Sequence, residues 1–466
     1  MRSPRTRRRR LRRPAAAALP YCRKGHRKKK DRRRREGSGG MTASLSDDSL
    51  ASIFTRLPDA AAVIRCAATC RRWARVVATR AAIISRSLQP LGRFLPDLAV
   101  GVFHQEKDWP TTRGRDTVPS RPCFVARARF LGVGGGRQLW GLDDDGGLLD
   151  YSRPVASRNG RLVLELRREG RAVDGLRLAV YNPMTSDNNI VIVPPLIVSA
   201  APGGKNSTTT TRDYGCALLT GHDLRPPRCQ SFFRLLLIYN RRRRRRDSTV
   251  LRCYSSHTGR WGPEAESDVR IHASRLRCIG QAVVRRGVAF WALDHGVLGV
   301  RLDHHTDQDG AVTDMHLLPY NINQHWPENR LLGVSADNRL FMMHVGVRNG
   351  QNKILIASFS YFEFPEEDDI RTGRRETVRE HAFVLMHQMK MEHHHTGIKL
   401  RWFGDKSGLV LFTMGARSGH AGTFVSNLWE ELVYKVADDG DSWNNLIGYE
   451  MDMAAYLASI DQQSFT

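Results

Sequence analysis

The chain has 466 residues and a formal net charge of +26, with 41% hydrophobic and 26% charged residues, a globular balance in everything but its sign. Mean hydropathy is −0.43, and the longest apolar stretch, Ile190 to Ala201, is interrupted by Pro194 and Pro195, short of the ~20 apolar residues a membrane helix needs. Eight cysteines without a C-x-x-C pair, and no apolar leader core after the first basic residues, argue against a disulfide framework or zinc ribbon and for a reducing compartment, cytoplasm or nucleus.

Residues 1–40 hold fourteen Arg and four Lys against Asp31 and Glu36, so this segment carries +16 and the other 426 residues only +10. Such blocks repel themselves and have no apolar face to bury, so a disordered basic leader is expected. Lys28 to Arg35 suits a nuclear localisation signal or a grip on phosphates; having no role is the alternative.

Residues 41–84 carry the sharpest pattern. Leu50, Ile53, Phe54 and Leu57 lie on one face of a helix, with Ser46 placed to cap it and Asp47 and Asp48 in its first turn. Pro58 stops it. Asp59 is placed to cap a second helix with Ala60, Val63, Ile64, Ala67 and Ala68 on one face. A third helix carries Cys70, Trp73 and Val77 inward and Arg71, Arg72 and Arg75 outward. Cys66 and Cys70 are expected to be two buried thiols. Three helices in so few residues make little core, and the excess apolar surface calls for a partner.

This segment resembles the F-box. The residues that carry the resemblance are Leu45-Ser46-Asp47-Asp48-Ser49-Leu50, Ile53-Phe54-Thr55-Arg56-Leu57-Pro58 and Cys70-Arg71-Arg72-Trp73. Ser46 stands where the family has proline. The Ala-rich second helix and the following Ser85 to Phe103 are similar to the large F-box families of grasses. The resemblance implies docking on a Skp-type adaptor, and through it on a cullin, by Leu45, Leu50, Ile53, Leu57, Pro58, Val63, Ile64 and Trp73.

Residues 85–119 read as a linker. From 120 to 450 the texture changes to short β-type runs: Gly160 to Arg167, Leu176 to Tyr181, Phe232 to Tyr239, Val288 to Leu293, Arg339 to Val345, Lys353 to Phe359 and Leu409 to Thr413. Turn residues lead into strands at Asn159-Gly160, Arg286-Gly287, Asp337-Asn338 and Ser407-Gly408. Tyr254 to Trp261 and Tyr434 to Trp443 look like a loose repeat. So many short strands fit a kelch-like β-propeller better than one sandwich, with an irregular pair of sandwiches as second choice. The expected fold is thus α+β and multidomain: a short three-helix F-box, then a β-rich propeller. Residues 451–466 read as a C-terminal tail.

Insertions punctuate the strands. Gly203 to Arg212 and Glu363 to Glu380 are polar loops, and Arg241 to Arg246 is a run of six arginines between two strands, suited to a solvated hairpin end or a grip on an acidic partner. No phosphate loop or His-Glu-x-x-His occurs, and Gly132 to Gly136 reads as a turn. His304-His305 and His393-His394-His395 lack the ordered surroundings a metal site needs. No catalytic, cofactor or metal residue is expected. Two functions are weighed first, a substrate receptor of a Skp–cullin–F-box ubiquitin ligase presenting a protein substrate on the β domain, or a nucleic-acid-binding protein using the basic leader; an enzyme built on the propeller is a third, weaker option. Removing 1–40 removes most of the charge and weakens the second.

Overall fold

Leu50 and Phe54 stand one helical turn apart and both are buried, so the segment holding them coils with that face inward: α1 spans Asp47–Phe54. In the computed structural model α2 (Ala60–Ala67) buries Ala60, Val63 and Ala67, and α3 (Arg71–Thr79) buries Ala74, Val76 and Val77. Phe54 meets Trp73 edge-on, ring centroids 5.6 Å apart. A fourth helix, α4 (Ala81–Ser87), follows where three were expected, because Arg80 only interrupts the helical run. Cys70, expected to be buried, is exposed: it precedes α3 in extended conformation, where helical periodicity does not hold. Cys66 is half-buried and Ala68 exposed.

The structure describes residues 45–58, 60–88, 94–106, 123–126, 152–166, 175–183, 190–196, 214–224, 231–242, 247–267, 269–272, 276, 279–293, 296–302, 312–319, 330–335, 338–348, 353–362, 383–384, 398–415, 421–427, 432–438 and 443–458. The basic leader, Asp59, the glycines 132–136, the two histidine runs and both polar loops lie outside them.

The strands form antiparallel sheets in chain order. After β1 (Ala99–Glu106) and β2 (Cys123–Ala126) come five blades. The first holds β3 (Arg153–Arg158), β4 (Arg161–Glu165), β5 (Leu178–Tyr181) and β6 (Val191–Ile192). The second holds β7 (Tyr214–Thr220), β8 (Phe233–Arg242), β9 (Asp247–Ser255) and β10 (Arg260–Trp261), with β11 (Ala265–Ser267) also on β9. The third holds β12 (Val283–Arg285), β13 (Val288–Leu293), β14 (Gly296–Leu302) and β15 (Val312–Pro319). The fourth holds β16 (Arg330–Val334), β17 (Leu340–Arg348), β18 (Lys353–Phe362) and β19 (Phe383–Val384). The fifth holds β20 (Ile398–Phe403), β21 (Leu409–Met414), β22 (Gly422–Asn427) and β23 (Leu432–Ala437). Finally β24 (Trp443–Glu450) pairs with β1, and β1 with β2, in a three-stranded sheet built from both ends of the domain.

The first strand of each blade packs on the first strand of the next, β3 to β7, β12, β16 and β20, then β24 and back to β3. The result is a β-propeller-like ring of five blades, closed by the three-stranded sheet. The packing follows from the strand sequences. In β8, Phe233, Leu235, Leu237 and Tyr239 face the first blade and meet Val163, Leu178 and Val180. The intervening Leu236 and Ile238 face the third blade and meet Trp291 and Leu298. A blade clasped on both sides is apolar at consecutive positions, unlike a half-exposed sheet. Phe103, Leu162, Leu164 and Tyr449 fill the joint between closing sheet and first blade.

The turn pairs picked out in the sequence share one structural position. Asn159-Gly160, Arg286-Gly287, Asn338 and Gly408 each link the first two strands of a blade, and all six of these residues have positive φ, as tight hairpin turns require. Tyr254 to Trp261 and Tyr434 to Trp443, by contrast, are not equivalent. The first joins two strands inside the second blade, whereas the second leads from β23 to the closing strand β24.

Two boundaries differ from the sequence expectation. The stretch taken as linker, 85–119, contains the end of α4, a 3-10 turn at Pro96–Leu98 and strand β1. A single strand far from its partner in sequence is hard to recognise until that partner, β24, is known. The stretch taken as a tail contains a fifth helix, α5 (Met453–Ala458), with Ala454, Tyr456 and Leu457 buried. Asp452 caps it, its Oδ1 accepting from the Ala454 and Ala455 amides at 2.6 and 3.0 Å.

Candidate functional site

The short helices are seated on the end of the ring where the inner strands finish. α5 leaves directly from β24 and packs against α3 and α4. The Met451 amide donates to the Leu98 carbonyl at 2.9 Å and the Leu95 amide to the Lys406 carbonyl at 2.8 Å. Phe94 lies edge-on to Phe403 and close against Gly408, where a side chain would find no room. Two exposed ion pairs, Arg72 with Asp47 at 2.9 Å and Arg80 with Asp48 at 2.5 Å, tie α3 and its end to the first turn of α1. Such pairs contribute roughly 0–1 kcal/mol each.

The residues expected to dock an adaptor separate by burial. Leu50 (1% exposed) and Val63 (0%) are core of the helical unit. Trp73 is half-buried against Phe54, and Leu57 and Ile64 are half-buried. Ile53 is 46% exposed and Pro58 is exposed, while Leu45 precedes α1. Ile83 on α4, which the sequence reading did not single out, is 53% exposed. A helix buried on one face is expected to be polar on the other, so these uncovered apolar side chains are the informative ones.

Beneath the helices lies a polar cluster. Arg158, at the end of β3, donates from Nε and Nη2 to Asp223 at 2.7–3.0 Å, from Nη2 to the Val284 carbonyl at 2.8 Å, and from Nη1 to Asp405 at 3.1 Å. One guanidinium therefore joins blades one, two, three and five. Asp223 is also held by the Thr220 amide and hydroxyl at 2.8 and 2.9 Å, and Asn159 Nδ2 donates to Thr220 Oγ1 at 2.6 Å. Glu450 accepts from the Ser407 amide at 2.7 Å and fixes the Asp405–Ser407 turn. The cluster borders a cleft lined also by Gln281, Lys406 and Trp402. No single stretch of sequence announces this cluster, since its members come from four blades; only the turns at Asn159-Gly160 and Ser407-Gly408 were visible.

Burial works against every charge here, and the partners decide the outcome. Burial opposes the Arg158 charge, but Asp223 and Asp405 outweigh it and raise its pKa. Burial likewise opposes the Asp223 carboxylate, yet Arg158 and the Thr220 hydrogen bonds hold it below the ordinary value. Asp405 goes the other way: burial pushes it up to about 6, Arg158 resists, and Glu450 adds to the rise. Arg158 directs three of its contacts to Asp223 and one long one to Asp405, which is why the second carboxylate is less well compensated.

A pH dependence follows. A carboxyl raised from its unfolded value to about 6 favours the fold when protonated, so its stabilising contribution is full at low pH and is lost as pH rises through 6. Asp405→Asn is therefore expected to stabilise the protein at pH 7.5 by up to about 3 kcal/mol, two pKa units at 1.36 kcal/mol each. The gain should shrink toward pH 5. Denaturation midpoints of both proteins at the two pH values check this; a gain that does not change with pH contradicts it.

Among the described residues no group of three or more His, Cys, Asp or Glu is arranged to hold a metal, and no helix is long and apolar enough to cross a membrane.

Comparison with known families matches residues 47–83 to the family described as F-box-like. The chain thus carries an F-box-like domain followed by the β-propeller-like domain. No curated protein matches it. Similar solved structures include an alpha-L-arabinanase from Penicillium chrysogenum complexed with arabinobiose, at 10% identity and TM-score 0.28, covering 65% of this chain and 82% of that one. Others are the Aleuria aurantia lectin in complex with alpha-methyl-L-fucoside, at 10%, 0.31, 78% and 97%, and the Dos1 propeller, at 10%, 0.30, 70% and 70%. Likenesses at these scores carry no argument about activity.

Proposed function

We propose that the protein is a substrate-receptor subunit of a Skp–cullin–F-box ubiquitin ligase. The F-box-like helices bind the Skp-type adaptor, and through it a cullin, and the propeller holds a protein substrate. Ubiquitin transfer belongs to other subunits, so the chain itself is not an enzyme and needs no cofactor. The place of action is the cytoplasm or nucleus. The observation that carries this reading is an F-box-like domain that buries its own small core yet leaves Ile53 and Pro58 uncovered.

Capture of a recombinant Skp-type adaptor by the full chain is the test. Ile53→Asp is expected to leave stability within about 0.5 kcal/mol, being a surface change, and to lower adaptor capture at least tenfold. The Leu57→Ala/Pro58→Ala double variant should also lose capture. Leu50→Ala should instead destabilise the helical unit by about 2–5 kcal/mol. Unchanged capture by Ile53→Asp and by the double variant, or none by well-folded wild type, overturns the reading.

A further inference from the structure

The cleft beside the Arg158 cluster is lined by polar groups that the fold itself leaves unused. Asn159 is 7% exposed, and its Nδ2 donates to Thr220 Oγ1 at 2.6 Å. The Thr220 hydroxyl already donates to Asp223 at 2.9 Å, so it can only accept from Asn159. The Asn159 amide therefore stands one way round, and its Oδ1 is left as a buried acceptor without a partner. Gln281, just before β12, repeats the arrangement: Nε2 donates to the Ser157 carbonyl at 2.6 Å, and Oε1 is buried without a partner. Asp405 gives Oδ2 to Arg158 at 3.1 Å, and its Oδ1 is in the same state. All three residues line the cleft. Buried acceptors left unpaired are costly, so three around one opening call for donors.

We propose that this cleft binds a small neutral polyol or monosaccharide through a pair of adjacent hydroxyl groups. Charge selects a neutral ligand. The lining carries two cations, Arg158 and Lys406, and two carboxylates, Asp405 and Glu450, so 2 − 2 = 0 and neither an anion nor a cation is favoured. Hydrogen bonding selects hydroxyls. Beside the three acceptors stands Lys406, whose ammonium makes no hydrogen bond or ion pair with the described residues. A hydroxyl both donates and accepts, so it serves the three oxygens and the ammonium alike. Size selects a pair. The cleft has a volume of about 30 Å³, and a water-sized group needs about 10–15 Å³, so two hydroxyls enter and the carbon frame stays at the mouth. Trp402 supplies an apolar wall for that frame; its indole lies against Gly448, where no side chain holds it off. The binding does not rest on the receptor function proposed above.

The test uses the full chain without any adaptor, so its outcome is separate from that of the capture experiment. The probes are D-glucose, D-xylose and myo-inositol, with cyclohexanol as a ring of similar size bearing a single hydroxyl. Each is titrated into the millimolar range and followed by saturation-transfer NMR and by the melting midpoint, which a ligand of the folded state raises. Expected is binding of at least one of the three polyols and none of cyclohexanol. Lys406→Met and Gln281→Leu should each weaken that binding about tenfold or more, through loss of a hydrogen bond made inside the cleft. Lys406→Met should melt no earlier than wild type, because the lysine ammonium bonds nothing in the fold, so this variant keeps the test decisive even where Gln281→Leu is destabilised. The site is rejected if no polyol binds, if cyclohexanol binds as tightly as the polyols, or if a folded variant binds as tightly as wild type.

Discussion

Arg158→Met is expected to destabilise the protein by about 3–5 kcal/mol, the range found when one partner of a buried ion pair is removed. The cost arises less from the lost attraction than from what stays behind. Asp223 and Asp405 would remain in the cluster with no opposite charge in contact, and the Val284 carbonyl would lose its donor. The double variant Arg158→Met/Asp223→Asn should recover part of the loss, because the two sites share one network and are not additive. Urea denaturation of the single and double variants measures both effects. A single variant within 1 kcal/mol of wild type would mean that the guanidinium is not what holds the four blades together.

The second large effect is expected from the other end of the chain. Ending it at Asp452 removes α5, and with it Ala454, Tyr456 and Leu457, which are buried. The surfaces of α3 and α4 that α5 covers would then face water. Leu457→Ala alone should cost about 2–5 kcal/mol; the truncation should unseat the helical unit while the strands persist. Circular dichroism should keep its β signature, limited proteolysis should cut between residues 71 and 88, and adaptor capture should fall sharply. A truncated chain that captures the adaptor as well as wild type would show that the helices stand without this support.

Much of this architecture was legible in the sequence, for reasons that differ by region. The helical unit was readable because Leu50, Phe54, Val63 and Val77 repeat at helical intervals and Pro58 punctuates them. Seven strand runs were readable, and each became a second or third strand of a blade, where apolar residues are densest. The inner strands were harder: β12 and β20 are short or mixed in character, and β1 looks like linker until paired with β24. The number of blades was hidden because the first hairpins differ: four carry a positive-φ residue among the described residues, whereas the second blade's opens with the 3-10 turn Gly221–Asp223. Of the Arg158 cluster only the turns at Asn159-Gly160 and Ser407-Gly408 were legible, since a side chain joining four blades leaves no local pattern. Among the residues expected to dock an adaptor, periodicity named a face, but only packing separated Leu50 and Val63, inside, from Ile53 and Pro58, outside.

The seating of the first helices on the last one has a consequence for synthesis. The F-box-like helices leave the ribosome early, yet α5 and the closing strand β24 are made more than 350 residues later. At about 5–20 residues per second, that leaves a gap on the order of 20–70 s. During that interval the F-box-like helices lack their seat and the ring has no closure. A chain cut short at any point before α5 carries the F-box-like sequence without the support that orients it. On the receptor function proposed above, interrupted products are expected to be poor competitors for the adaptor.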